Sequence, residues 1–259
     1  MDKLKINYFV NCALLLEYNS KKILIDGLFD GRQMFDSYPP GLEDAIYSKN
    51  GLFTDLAGLC FTHCHFDHYD GDKLLKYMER HPNDSLLLPT NNELAGKELP
   101  LSSRAFSPES FPHFMLMDEP MEGMGQTRIA DFEITYLKTG HITYDYPEHY
   151  VFCVKAGDTA VVITADMHPK YYGALADFFK MDKMENVISF FNSVSVWKPS
   201  QTNTICALPG KKYIYHIPSE AGDTNGYRGL TLRLRDKYEP LHPDLKFITE
   251  GMCEVSCWL

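Results

Sequence analysis

The stretch Thr62-His63-Cys64-His65-Phe66-Asp67-His68 follows directly on the apolar run Leu56-Ala57-Gly58-Leu59-Cys60-Phe61. Such a run reads as a buried strand, so a dense group of imidazole and carboxylate side chains stands at a strand end. In extended backbone successive side chains leave on opposite faces, and His63 and His65 therefore project together while Cys64 turns away. Two imidazoles on one face can reach one ion. Leu74, Leu75 and Met78 then suggest a helix, and a bend into it sends Asp67 and His68 off in other directions, where they can address a second ion. Imidazole suits zinc, iron, copper or nickel, and an added carboxylate favours a hydrolytic or oxygen-handling centre over a thiolate-bound structural zinc. Three of the ten histidines around one aspartate are too many for an ordinary surface turn.

His63-Cys64-His65-Phe66-Asp67-His68 resembles the H-x-H-x-D-H signature of the metallo-β-lactamase superfamily. The resemblance implies a single domain over 1–259 with an α/β fold, a four-layer αββα sandwich carrying its metals at one edge. It also implies further ligands in a set order. Phe132-Glu133-Ile134-Thr135-Tyr136-Leu137 leads into Lys138-Thr139-Gly140-His141, which makes His141 the match for the third histidine of the first metal. A hairpin from Tyr150-Val151-Phe152-Cys153-Val154 to Ala160-Val161-Val162-Ile163 precedes Thr164-Ala165-Asp166, which places Asp166 as the bridging carboxylate. Members often carry glycine before this aspartate; Ala165 departs from that and restricts the backbone. Lys212-Tyr213-Ile214-Tyr215-His216 ends a late strand, and His216 completes the second site. On spacing alone His149, His168 and His242 compete with these assignments.

By the same resemblance, His63, His65 and His141 hold one divalent ion, Asp67, His68 and His216 hold another, and Asp166 bridges them. Zinc is the first choice, with manganese or iron as alternatives. Asp67 is also the catalytic residue, orienting the nucleophile and protonating the leaving group. Members open with an apolar strand, a turn and a second strand ending in aspartate; Ala13-Leu14-Leu15-Leu16 and Ile23-Leu24-Ile25-Asp26 match, with Asp26 a support for the metal loop or a plain turn residue. The short N-terminal meander and the overall length are similar to the small lactonase-like branch. The expected activity is metal-dependent hydrolysis of a small ester, lactone or phosphodiester by a metal-bridging hydroxide. The alternatives are a mononuclear iron oxidoreductase, sulfur dioxygenase-like, and a nucleic-acid phosphodiesterase.

Composition constrains the partners. A chain of 259 residues that is 44% hydrophobic and 23% charged can bury a substantial core. Its net charge of −10 disfavours an electrostatic grip on nucleic acid, leaving a small-molecule substrate. Asn7, Asn11 and Glu17 interrupt the apolar N-terminal segment, so neither a signal peptide nor a membrane partner is expected. Seven cysteines, an odd number without zinc-ribbon spacing, suggest reduced thiols and a cytoplasmic location, with Cys253 and Cys257 on one face of a terminal turn.

Other segments read less sharply. From Glu98 to Gln126 no sustained period appears, and the segment reads as an irregular cover. Pro169 to Met181 reads as a helix, with Tyr172, Leu175, Phe178 and Phe179 on one face. Tyr227 to Tyr238 reads as a helix with residual strand character. Tyr144, Tyr146, His149 and Arg228 lie on loops expected to flank the metals, where Arg228 could grip a phosphate or carboxylate and a tyrosine could donate to an oxyanion.

Overall fold

A computed structural model of the chain describes residues 3–31, 35–89, 111–143 and 148–255. The N-terminal apolar runs form an antiparallel meander of β1 (Lys5–Tyr8), β2 (Leu14–Tyr18) and β3 (Lys21–Ile25). Asn19 and Ser20, between β2 and β3, take φ of 50° and 62°, the left-handed pair that a tight hairpin of this twist requires. From there the sheet grows in parallel through β4 (Leu56–Cys60), β5 (Ser85–Pro89) and β6 (Phe114–Met117). Parallel neighbours need crossovers. Helix α1 (Leu42–Ser48) and helix α2 (Gly71–Arg80) supply two of them. The Asp70 side chain caps α2 by accepting from the Lys73 N–H, and Leu74, Tyr77 and Met78 bury its inner face.

The second sheet begins with an antiparallel run, β7 (Met124–Ile129), β8 (Phe132–Thr139), β9 (His149–Ala156) and β10 (Thr159–Ile163). It continues in parallel through β11 (Asn186–Asn192), β12 (Lys211–Tyr215) and β13 (Leu245–Phe247). The short β14 (Cys253–Glu254) returns to pair with β1. Between the sheets, Leu14, Ile23 and Ile25 meet Phe152, Ile163, Phe190 and Tyr213 in one core. Outside the second sheet lie α3 (Leu175–Phe179), α4 (Pro199–Ala207) and α5 (Tyr227–Tyr238), which bury Leu175, Phe179, Ile205 and Tyr238. The layers are helix, sheet, sheet, helix.

The middle of the chain is more regular than its sequence suggests. β6 and β7 both fall at least partly within 98–126, where irregular structure is expected. Each is an outermost strand, and β7 exposes half of its residues, so neither needs a sustained apolar pattern. Residues 98–110 of that segment lie outside the described residues in their entirety. The segment from Pro169 opens as 3-10 turns over Pro169–Ala174 before α3 begins. Residues 227–238 are helical throughout, and the Asp223 carboxylate accepts from the backbone N–H groups of Tyr227, Arg228 and Gly229, satisfying donors that a helix start leaves open. Cys253 lies on β14 rather than on a turn, and Cys257 is outside the described residues. Among the described residues no helix is long and apolar enough to cross a membrane.

Topology places the site. β8 and β10 both run antiparallel to β9, and β10, β11 and β12 run parallel, so the C-terminal ends of β8, β10, β11 and β12 share one edge. β3 and β4 deliver their own C-terminal ends to the same place.

Candidate metal centre

Three residues at this edge adopt left-handed backbone conformations directly after or near strand ends: Asp26 at φ 50°, Ala165 at φ 43° and His216 at φ 56°. For residues with a Cβ this costs roughly 1–2 kcal/mol each, and strain of this kind concentrates at functional sites. The loops are tied to one another. The Ile142 N–H donates to the Asp166 carbonyl at 2.8 Å and the His168 N–H to the Gly140 carbonyl at 2.8 Å, which locks the His141 loop to the Asp166 loop.

Two groups of side chains converge. His63, His65, His141 and Asp166 form one, and Asp67, His68, Asp166 and His216 form the other, each with one ligand atom per residue within 4.8 Å of all the rest. Asp166 belongs to both. Its Oδ2 lies 3.3 Å from His141 Nε2, 3.8 Å from His63 Nε2 and 3.9 Å from His68 Nε2. Asp67 Oδ2 stands 3.3 Å from His216 Nε2. All seven sequence-predicted ligands are therefore brought together.

The donor set fits divalent cations. Nε2 of His68 and Nε2 of His216 are buried and have no hydrogen-bond partner, although carboxylate oxygens stand near them. A buried polar atom left unbound costs about 1–3 kcal/mol, and a cation at the centre would take both lone pairs. Nδ1 of His68 is committed elsewhere: it lies 2.9 Å from Asp26 Oδ2. Asp26 is itself wholly buried and accepts from the Thr62 N–H at 2.8 Å and the Thr62 hydroxyl at 2.6 Å. The Asp26 carboxylate therefore holds the Nδ1 proton and leaves Nε2 facing the site.

Charge is distributed in opposite senses across the two groups. Burial, then the neighbouring His68, His65 and His149, drive His63 well below the usual histidine range, and burial and His141 bring His65 down to about 4. His216 goes the other way: burial opposes its proton, but Asp166 and Asp67 together raise it to about 9. His68 is likewise raised, against burial, by its bond to Asp26. Burial also works against the Asp67 and Asp166 carboxylates, yet the surrounding histidines hold both below the ordinary range.

Asn192 is a site residue that the sequence reading missed. It ends β11, where its Nδ2 donates to Asp166 Oδ1 and stands 3.0 Å from His216 Nδ1. Its Oδ1 accepts from the Val194 N–H at 3.0 Å, which sets the orientation of the amide. The one signal available was a polar residue closing the apolar run Val187-Ile188-Ser189-Phe190-Phe191. Cys12 was also passed over. Its buried thiol lies 3.2 Å from both the Asp67 carbonyl and His68 Nδ1. Burial and the charges of Asp26, Asp67 and Asp166 push its pKa well up, so it stays a thiol.

None of the competing histidines belongs to the converging groups. His149 is buried with Nδ1 2.8 Å from Thr139 Oγ1, and its ring centre is 5.1 Å from that of His63. His168 accepts from the Lys170 N–H, and His242 lies against Tyr238. Arg228, read as an anion grip or a plain loop residue, stands in the first turn of α5, where its guanidinium donates to the carbonyls of Pro218 and Thr249 at 3.0 and 3.4 Å. It is not among the residues that line the cavity at the site. Tyr144 and Tyr146 lie outside the described residues.

Beside the ligands a cavity of about 450 Å³ opens, with Phe35, Phe66, Trp197 and Tyr227 among its lining residues. By sequence, no family model and no curated protein matches the chain. Solved structures do. Igni18, a metallo hydrolase from the archaeon Ignicoccus hospitalis, matches with TM-score 0.62 at 14% identity over 97% of each chain. YhfI, a metallo-β-lactamase fold protein from Bacillus subtilis, matches with TM-score 0.52 at 16% identity over 97% of this chain and 100% of its own. The fold is that of the metallo-β-lactamases. On this metallo-β-lactamase fold CmlA, a diiron β-hydroxylase from Streptomyces venezuelae, also superposes, with TM-score 0.60 at 13% identity over 98% of this chain. The chain spans about half the length of CmlA, 54% of it.

Proposed function

We propose that the protein is a metal-dependent hydrolase acting on a small ester, lactone or phosphodiester. The observation that carries this reading is the sharing of Asp166 between two groups of converging ligand atoms. His63, His65 and His141 would hold one divalent ion, Asp67, His68 and His216 a second, and Asp166 both. The imidazole and carboxylate donors favour zinc and accept manganese or iron. Bound there, the ions would supply Lewis acidity and make hydroxide available near neutral pH.

The chain's own groups do the rest. Asp67, held below the ordinary carboxylate range, stays ionised at neutral pH, where it orients the attacking water and carries its proton to the departing oxygen. Asp26 and Asn192 fix the orientation of His68, Asp166 and His216. The cavity seats the remainder of the substrate. The odd number of cysteines, seven, suits a reducing, cytoplasmic setting.

The test is a metal-reconstituted screen across lactones, thioesters and phosphodiesters, run beside an Asp166→Ala control. Turnover that disappears in the control is the expected outcome. Turnover that persists unchanged rejects the site, and stoichiometric iron with thiol-dependent oxygen uptake replaces hydrolysis by the iron oxidoreductase reading, since the same donors accept iron.

A further inference from the structure

The cavity beside the ligands has a pronounced asymmetry in its lining. Phe35 stacks on His216 with ring centres 4.2 Å apart at 23°, so an apolar wall begins at a ligand of the second group. Trp197 and Tyr227 continue it as a second aromatic pair, with ring centres 4.7 Å apart at 33°. Trp197 Nε1 donates to Thr231 Oγ1 at 3.4 Å, which anchors the indole. Phe66, inside the histidine run itself, is 39% exposed and lines the cavity with Ile142 and Val194. An aromatic side chain left this open beside a reactive centre offers apolar area to whatever binds there.

The polar side chains of the lining are the ligand groups and residues bonded to them, Thr143 to His141, Asn192 to Asp166 and Ser193 to the His216 carbonyl. Asp67 and Asp166 belong to the ligand groups, and no lysine or arginine is among the described lining residues. Away from the ions that the ligands would hold, an ionised substituent seated on the aromatic wall would lose hydration without meeting a counter-charge. An uncharged ring would gain by burial against faces already held in place, with little ordering left to be done.

We propose that the substrate is an uncharged ester or lactone bearing an aromatic or comparably bulky apolar group next to the scissile bond, seated on the Phe35, Trp197 and Tyr227 wall. This rests on the hydrolase reading and narrows it. The carbonyl carbon meets water at the ligand cluster, the carbon–oxygen bond to the leaving alcohol breaks, and a proton returns to that alcohol oxygen. In a lactone both products remain one hydroxy acid.

The test compares γ-phenyl-γ-butyrolactone, unsubstituted γ-butyrolactone and bis(4-nitrophenyl) phosphate on the metal-reconstituted protein. The phenyl lactone should exceed the parent lactone in kcat/KM by roughly tenfold or more, the scale of one ring buried against aromatic faces. Trp197→Ala should shrink that ratio severalfold. Binding supplies an independent readout: calorimetry on the metal-free protein should find 3-phenylcyclopentanone, which cannot be hydrolysed, bound more tightly than cyclopentanone, with the difference reduced in Trp197→Ala. Equal kcat/KM on the two lactones, or faster turnover of the phosphodiester, overturns the proposal while hydrolysis itself stands. If no probe is turned over in a way that Asp166→Ala abolishes, the hydrolase reading fails, and the calorimetry still decides whether the wall prefers an uncharged ring.

Discussion

Nδ1 of His68 and Oδ2 of Asp26 lie 2.9 Å apart, and both side chains are wholly buried. Asp26 directly follows β3 and His68 lies in the loop after the neighbouring strand β4, 42 residues on. The contact decides which nitrogen of His68 faces the site. Asp26→Asn would keep the Oδ1 acceptor for the Thr62 N–H but put an amide N–H₂ where Oδ2 accepts from the Thr62 hydroxyl and faces Nδ1, favouring the tautomer whose proton sits on Nε2. Metal affinity at the Asp67, His68 and His216 group should fall by about 10- to 100-fold. Equilibrium dialysis with metal analysis measures it, and an unaltered affinity would show that Asp26 only braces the loop.

Asn192 makes the corresponding contacts on the other side. Asn192→Ala removes the donor to Asp166 and the amide beside His216, and kcat/KM should fall by roughly 10- to 100-fold. The circular dichroism spectrum and thermal midpoint should change much less than activity does. A variant as active as the parent would reduce Asn192 to a loop-capping role.

The histidines set a stability optimum for the chelator-treated protein. His216 titrates at about 9 in the folded state against 6.5 ordinarily. Above pH 6.5 the folded state therefore holds a proton that the unfolded chain has released, and stability falls as pH rises toward 9. His65 titrates at about 4, so below pH 6.5 the unfolded chain gains a proton that the folded state refuses, and stability falls toward pH 4. His68 adds to the first loss, and His63 and His149 add to the second. Denaturant midpoints measured from pH 4 to 9 should peak near 6.5; a midpoint rising steadily to pH 9 would contradict this assignment.

Proton release should accompany metal loading. His216 is protonated at pH 7 in the metal-free protein, because its pKa stands at about 9. A cation bound at Nε2 displaces that proton. Calorimetric titrations at pH 7 in buffers of different ionisation enthalpy should report about one proton released from His216, with His68 adding to it. No dependence on buffer would mean that the ion binds elsewhere.

Ala165 holds φ 43° immediately before Asp166. Ala165→Gly removes the left-handed penalty and adds unfolded-chain entropy, for a net gain of up to about 1 kcal/mol. The thermal midpoint should rise, and a fall would show that the methyl group, which is buried, contributes more through packing than its backbone costs.

Local sequence went far in this protein because two of its determinants are local. The apolar run before His63 and the alternation of His63, Cys64 and His65 set strand, direction and face within a few residues, and Cys64 does lie in the core on the helix side of the first sheet. Strands ending at His141, Asp166 and His216 could be read in the same way, since an apolar run that stops at a polar residue marks a sheet edge. The edge strand β7 could not, because a strand with one partner needs only one apolar face. Arg228 stayed open for a related reason: it is near His216 in the chain, but nothing in its neighbours discloses that its guanidinium donates to two carbonyls.

What the sequence by itself determined was which imidazoles and carboxylates converge and the sheet edge that bears them. Tertiary structure decided which groups surround those ligands. Asn192 reaches His216 because β11 pairs in parallel with β12, in register at Asn192 and Tyr215, and Asp26 reaches His68 because β3 lies beside β4. Phe35, Phe66, Trp197 and Tyr227 are scattered over the chain and share no period, so their wall exists only once the two sheets have packed. A ligand set can be written in neighbouring residues, since side-chain direction follows from backbone geometry over a few positions; a cavity cannot, since its surface is the meeting of loops whose separation only the packed core sets.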